Sequence, residues 1–453
     1  MLETLLIMMT GTLLGALGGL IPGVGAVVTL LISYPFIQGF DLIQMLVFYL
    51  AIVSASQYSG SVIATTMGIP GDQSSWPAVI EGHAMFKQGH GAYAISGAAL
   101  GSLLGSAITV GIVLWLLPNA IFLITNFYNN NLQLAVLTLT SLLIVFVYPQ
   151  RWQNVCLFVF GALLSSIGIS LVPSMLMWAG YIPYESFPAL YQGLPLFPVI
   201  VALFVIPTLA KSLDTDVIYR NKTVSKHSTT LSSHIREYLK TIKSSIRGSL
   251  IGSICGLVPH LTTVLASNLG YIIEKKIGTS NKTYNNNGDI KSLVAAETAN
   301  NSAGFVQLVP LLLLGIPITT SEAIILSILE YNSYLINYST TISSGLFDQL
   351  VLWFIAINVV AFVLAWPFAK YLHHLYKVPY RYILYTVLVI LLVMIWYIGA
   401  RSNNEIYYLL TFAVLAPVGY LLRNVNTIII ILAFVLQDKL LAAAVRASII
   451  WTS

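Results

Sequence analysis

Two polar clusters lie in stretches that are otherwise apolar, and they set the chemistry open to this chain. The first is Gln57-Tyr-Ser-Gly-Ser-Val-Ile-Ala-Thr-Thr-Met-Gly-Ile-Pro-Gly-Asp72. Ser59, Gly60, Ser61, Thr65 and Thr66 precede a break at Gly68, Pro70 and Gly71, and the carboxylate of Asp72 follows it. The second is Glu297-Thr-Ala-Asn-Asn301, with the adjacent amides of Asn300 and Asn301, followed by Gly315-Ile-Pro-Ile-Thr-Thr320, which holds Pro317 and Thr319. A third source of polar groups is backbone. In Gly19-Leu-Ile-Pro-Gly-Val-Gly25, Pro22 removes a donor and Gly23 and Gly25 permit non-helical dihedrals, so a helix opens here and restarts after Val24 and Gly25. A broken helix offers amides at the start of its second part and carbonyls at the end of its first. The amides suit a carboxylate or phosphate, the carbonyls a sodium ion, and hydroxyls or side-chain amides serve either.

Other chemistries lack their parts. Asp72 has no aspartate mate at comparable depth for aspartyl proteolysis, and His83, His90, His260, His373 and His374 have no metal-ligand spacing on a helix. Cys156 and Cys255 stand apart in apolar segments and give neither a disulfide framework nor a metal site. The expectation is therefore no enzyme, no metal and no cofactor beyond a coupling ion, Na+ or H+. The formal net charge of +5 comes mainly from connecting loops and argues for their cytoplasmic placement, not for nucleic acid.

The elements that must hold these groups are membrane helices. Charged residues are 8% of 453 and hydrophobic residues 57%, against roughly 25% charged in an ordinary soluble domain. An all-α polytopic membrane protein of about 10–12 segments follows, each needing about 20 apolar residues. The candidate segments are 4–36 (broken), 42–69, 91–117, 132–148, 154–178 and 195–210, then 247–273 (broken), 303–329, 348–369, 382–400, 405–422 and 426–443. Between the two sets, residues 211–246 carry Arg220, Lys222, Lys226, Arg236, Lys240 and Lys243 and read as a cytoplasmic connecting loop. With no Lys or Arg before the first motif, the N-terminus reads as a retained segment.

The chain thus divides into membrane repeats at 1–210 and 247–453. Gly11-Thr-Leu-Leu-Gly15 aligns with Gly248-Ser-Leu-Ile-Gly252, Gly19-Leu-Ile-Pro22 with Gly256-Leu-Val-Pro259, and Gly68-Ile-Pro70 with Gly315-Ile-Pro317. Basic residues on both sides of the seventh segment (Arg247, then Lys275 and Lys276) suit a hairpin, so we read the repeats as inverted, as in many secondary carriers. Plainer readings stand beside these. Gly11, Gly15 and Gly19 fit close helix packing, Pro-Gly breaks can be kinks, hydroxyls in membrane helices commonly bond back to their own helix, and Asp72 can mark an interface. The order of the breaks, found in both halves, favours the functional reading.

The runs Gly19 to Gly25, Tyr58-Ser-Gly-Ser through Gly68-Ile-Pro-Gly71, Glu81-Gly-His-Ala-Met-Phe-Lys-Gln-Gly89, Glu297-Thr-Ala-Asn-Asn-Ser302, Leu314-Gly-Ile-Pro317 and Gly419-Tyr-Leu-Leu-Arg423 resemble the large membrane subunit of tripartite tricarboxylate transporters, TctA-type, over essentially the whole chain. The resemblance implies a bacterial inner-membrane, multi-pass carrier for di- or tricarboxylates or related organic anions, driven by an ion gradient. It also implies a small membrane subunit and a periplasmic solute-binding protein as partners. A homodimer is compatible with it. The second half departs from the family pattern. Pro259-His260-Leu-Thr262 stands where Pro-Gly-x-Gly is usual, and Ile318 follows the second Gly-Ile-Pro. His260 and Thr262 would crowd a backbone-lined anion site, which keeps a channel or a transport-inactive scaffold as the alternative.

Overall fold

The computed structural model describes residues 1–127, 130–146, 150–167, 193–214, 238–257, 263–280, 288–334, 336, 341, 345–375 and 380–452. Among these residues the regular structure is helical throughout, with no strands. The helices are α1 (Leu2–Gly19), α2 (Gly25–Ile37), α3 (Leu42–Met67), α4 (His83–Lys87), α5 (Gly91–Phe127), α6 (Asn130–Phe146), α7 (Arg151–Ser165), α8 (Leu196–Ile200) and α9 (Ile206–Asp214). The second half holds α10 (Ile242–Leu257), α11 (Thr263–Ser280), α12 (Ile290–Val306), α13 (Leu308–Leu314), α14 (Thr320–Tyr331), α15 (Leu346–Leu375), α16 (Tyr380–Arg401), α17 (Glu405–Leu421) and α18 (Ile428–Thr452). Five helices among the described residues are long and apolar enough to cross a membrane: Leu2–Gly19, Leu42–Met67, Gly91–Asn119, Leu346–Ala365 and Arg381–Arg401. The protein is an all-α, multi-pass membrane protein.

The chain forms two compact units. The first comprises Met1–Ile121, Asp216–Gly315 and Ile328–Tyr382, and the second Phe122–Thr215, Ile316–Ser327 and Ile383–Ser453. In the first unit, rows of glycine let backbones touch. A Cβ on Gly15 would lie 2.4 Å from the Ile52 carbonyl oxygen of α3, and one on Gly19 would lie 2.3 Å from that of Ser56. On α10, Gly248, Gly252 and Gly256 meet the carbonyls of Ala295, Ala299 and Ala303 of α12 at 2.4, 2.3 and 2.8 Å in the same sense. This is the small-residue packing that apolar helices use when lipid gives them no hydrophobic reason to associate. Ile52 to Ala299, Ser56 to Ala303 and Gly68 to Gly315 are all separated by 247 residues. Gly68 and Gly315 both end their helices in the left-handed region, at φ +68° and +64°.

Within the second unit, α7 seats Gly161 on the Ile430 carbonyl of α18, and α17 seats Gly419 on the Ala202 carbonyl in the π-helical turn Val201–Val205. Asn154 at the start of α7 donates to the Val145 carbonyl of α6 at 3.0 Å, tying off a carbonyl that would otherwise be unsatisfied at a helix end.

One expected segment changes. The hydropathy pattern starts a span at 303, whereas α12 begins at Ile290, is capped by Asp289 and is buried from Ser292 to Val306. Its Glu, Thr and Asn residues dilute the apolar signal, so only burial inside the protein reveals it as a helix of the bundle. The span from 303 to 329 is also divided, by the break at Gly315 to Thr319. The second-half break residues Pro259, His260 and Thr262 lie outside the described residues.

Candidate functional site

The first break opens as the proline and glycines demand. Helix α1 ends at Gly19, a turn carries the chain through Pro22 and Val24, and α2 starts at Gly25. Gly23 sits at φ +80° and Gly25 at φ +52°, dihedrals that favour glycine. A Cβ on Gly25 would meet nothing within 4 Å, so there is open space at the amide end of α2.

The second break is folded onto the first. Gly68 closes α3, its amide donating to the Ala64 carbonyl at 2.9 Å. Any Cβ there would strike the ring of His83, whose Nδ1 lies 3.0 Å from the Thr65 carbonyl. After Pro70, Gly71 fits between the Gly19 carbonyl and the Gly60 Cα, at 2.3 and 2.6 Å from where its Cβ would be. Asp72 then caps the short turn Gln73–Ser75, accepting from the Ser74 amide at 3.4 Å. Ser267 of α11 donates to the Ser74 carbonyl at 2.7 Å. Ser59 bonds back to the Ala55 and Ser56 carbonyls and Thr66 to those of Val62 and Ile63, so these two hydroxyls serve their own helix.

Helix α12 brings the second cluster to this place, and its two sides differ. Thr298 donates to the Gly101 carbonyl at 3.0 Å, Asn301 Nδ2 to Ser102 Oγ at 2.7 Å, and Ser302 to the Gly105 carbonyl at 3.3 Å. That side is fastened to α5. Glu297, Asn300 and Gly304 share another face, by helical spacing. Gly304 leaves room for the Gln57 side-chain amide of α3, whose Nε2 lies 2.8 Å from the Cβ position. About two turns towards the N-terminus, Glu297 lies within reach of Ser61 and Asp72. Ser61 Oγ itself donates to the Gln57 carbonyl at 3.2 Å. Both carboxylate oxygens of Glu297 and both amide atoms of Asn300 are buried without a hydrogen-bond partner, as are the hydroxyls of Ser56, Thr65, Ser74 and Ser75. Glu297 and Asn300 are 0% exposed. Buried polar groups are nearly always satisfied, so orphaned ones on a shared face mark the place where a polar guest belongs.

Beyond Gly315, the residues that follow the second-half break belong to the second unit. Thr319 and Glu322 form a capping box: Glu322 Oε2 accepts from the amides of Ile318 and Thr319 at 2.7 and 3.1 Å, and the Glu322 amide donates to Thr319 Oγ1 at 3.3 Å. Thr319-Thr-Ser-Glu322 is the sequence signature of that box, and it would have located the start of α14. Glu322 Oε1 and Thr320 Oγ1 are buried and unpartnered. Pro317 is buried within this break.

A third polar group joins residues far apart in the chain. Glu81, 1% exposed, pairs with Lys275, accepts from the Tyr271 hydroxyl at 2.9 Å and from the Asp289 amide at 2.8 Å. Among the described residues no three His, Cys, Asp or Glu side chains group as a metal site.

A family profile described as "Tripartite tricarboxylate transporter TctA family" matches residues 5–433. A protein of Agrobacterium vitis described as "Uncharacterized 52.8 kDa protein in TAR-I ttuC' 3'region" is 26% identical over 321 residues, which cover 68% of this chain and 60% of that protein's length. No solved structure matches.

Proposed function

Because this chain belongs to the tripartite tricarboxylate transporter TctA family, a family of transporters and not of enzymes, we propose that it is the membrane permease subunit of a secondary carrier for di- or tricarboxylates. Uptake across the bacterial inner membrane is coupled to a cation gradient, Na+ or H+. The small membrane subunit and a solute-binding protein that delivers the anion complete the system. The observation that carries this reading is the set of orphaned polar atoms of Ser56, Thr65, Ser74, Ser75, Glu297 and Asn300, sealed inside an apolar bundle beside two helix breaks. Polar residues in a membrane interior are costly and mark solute or ion pathways, and broken helices are how carriers present backbone to an anion.

In this reading the anion's carboxylates meet the amide end of α2 at Pro22, Gly23, Val24 and Gly25 and the loop Gly68, Pro70, Gly71 and Asp72, with Ser59, Gly60 and Ser61 of α3 framing it. The test is uptake by proteoliposomes holding the chain with its small subunit and binding protein, offered labelled di- and tricarboxylates with and without an ion gradient. Gradient-dependent accumulation of one acid is expected. Binding of the partners with no uptake of any acid would make the chain a scaffold instead.

A further inference from the structure

We infer that Glu297, with Asn300, Ser61 and Asp72, forms a site for a monovalent metal cation, filled before an anionic solute can bind. The inference deepens the carrier reading and rests on it for the presence of an anion. Its own ground is the buried, unpartnered carboxylate of Glu297 and amide of Asn300. A second carboxylate, Asp72, packs against Gly60 beside Ser61, its amide nitrogen and Cβ 3.4 and 3.7 Å from where a Cβ of Gly60 would be, and it acts electrostatically on Glu297. Among the described residues the Tyr58 hydroxyl also interacts with Glu297, and it donates to Asn358 Oδ1 at 3.1 Å. Lys275 and Arg247 of the first unit are engaged elsewhere, with Glu81 and Glu274. Like charges in a low-dielectric interior repel strongly and demand a counter-charge.

The donors are all oxygens: two from Glu297, Oδ1 of Asn300, the Ser61 hydroxyl and the Asp72 carboxylate. Hard oxygen donors select hard cations, and soft transition metals prefer thiolate or imidazole. Divalent calcium takes six to eight oxygens, typically with several carboxylates, and no third acidic side chain groups with this pair among the described residues. Two acids among neutral hydroxyl and amide oxygens therefore fit a sodium-sized monovalent ion.

Order of binding follows from the charges. With the cation absent, the face of α12 and the Asp72 turn repel a di- or tricarboxylate. With it bound, the negative charge of the two carboxylates is halved and the cation itself attracts the anion. A ligand can shift binding of another only through such differential interaction.

The test is equilibrium binding of radioactive Na+ to the purified full chain in detergent, with no organic acid present and N-methylglucamine holding the ionic strength. A single saturable class of Na+ sites is expected. Glu297→Gln and Asn300→Ala should weaken it at least about tenfold, as loss of metal-site groups does. Glu297→Asp should restore part of the affinity, and Glu274→Gln, away from the site, should leave it unchanged. Monodisperse elution checks folding, and if Glu297→Gln fails to fold, Asn300→Ala and Glu297→Asp decide. Unaltered Na+ binding in the folded variants overturns the inference. So does a wild-type chain that binds no Na+ while uptake follows a pH gradient, because Glu297 would then be a proton carrier. Na+ binding lost in Glu297→Gln, with no acid taken up by wild type, would uphold the site and remove the carrier reading. Na+-driven uptake with unchanged Na+ binding in Glu297→Gln would do the reverse.

Discussion

At the scale of single residues, what matters is which buried polar groups are satisfied. Glu81 is satisfied three times over, by Lys275, Tyr271 and the Asp289 amide. Removing one partner of a buried pair costs roughly 3–5 kcal/mol when the other is left bare. Because Tyr271 and Asp289 still donate in Lys275→Ala, we expect a loss of about 2 kcal/mol, seen as a lower unfolding temperature in detergent at a fixed scan rate. The double change Glu81→Leu with Lys275→Met should cost less than Lys275→Ala alone; a larger cost would mean the pair does more than neutralise itself. This group was not legible in the sequence, since residues about two hundred positions apart carry no local signal of their pairing. The polar site was legible only in part. Ser61, Asp72 and Asn300 announce themselves as polar residues in apolar runs, but sequence treats Asn300 and Asn301 as equals. The structure separates them, giving Asn301 to Ser102 of α5 and leaving both amide atoms of Asn300 unpartnered.

At the scale of elements, the glycine rows and the helix breaks decide the packing. Gly15 and Gly252 have no space for a methyl group, since the obstacle in each case is backbone of the facing helix. Gly15→Ala and Gly252→Ala should therefore each push two helices apart at a cost of about 1–3 kcal/mol. Gly111 in α5 has nothing within 4 Å of its Cβ position, so Gly111→Ala should be neutral or stabilise by up to about 1 kcal/mol through helix propensity. Unfolding temperatures of the three variants, read together, check the argument; equal effects would show that propensity and not contact governs these sites. At the first break, Gly23→Leu combines a left-handed backbone at φ +80° with a bulky side chain beside the amide end of α2. It should abolish uptake while inserted protein remains at wild-type level, measured by transport and by surface labelling in parallel. These breaks were visible in the sequence because Pro and Gly act through local dihedrals. Hydropathy alone places the start of helix α12 too late, because its identity as a helix rests on burial against α10, α11 and α5.

At the scale of the whole molecule, the distinction between carrier and channel rests on whether the polar site opens to both sides of the membrane at once. Ser74, Ser75, Thr65, Glu297 and Asn300 are each 0% exposed, so in this conformation the innermost polar group of the proposed site, beyond a half-buried rim at Gly23, Gly25 and Asp72, is closed to water. A solute can reach it only after the protein changes shape, and each change of shape serves one loaded site. Transport by such a device saturates, runs at the pace of the conformational step, which for gating motions lies in the microsecond-to-second range, and exchanges solute. We therefore expect counterflow: proteoliposomes preloaded with unlabelled acid should take up labelled acid transiently above equilibrium, and external unlabelled acid should speed the exit of labelled acid. A channel shows neither effect, because its flux on one side is indifferent to solute bound on the other. Flux that rises linearly with concentration and ignores acid on the far side would require an open aqueous path past Glu297, and the sealed arrangement of α3 and α12 would then be a resting state and not the site of transport.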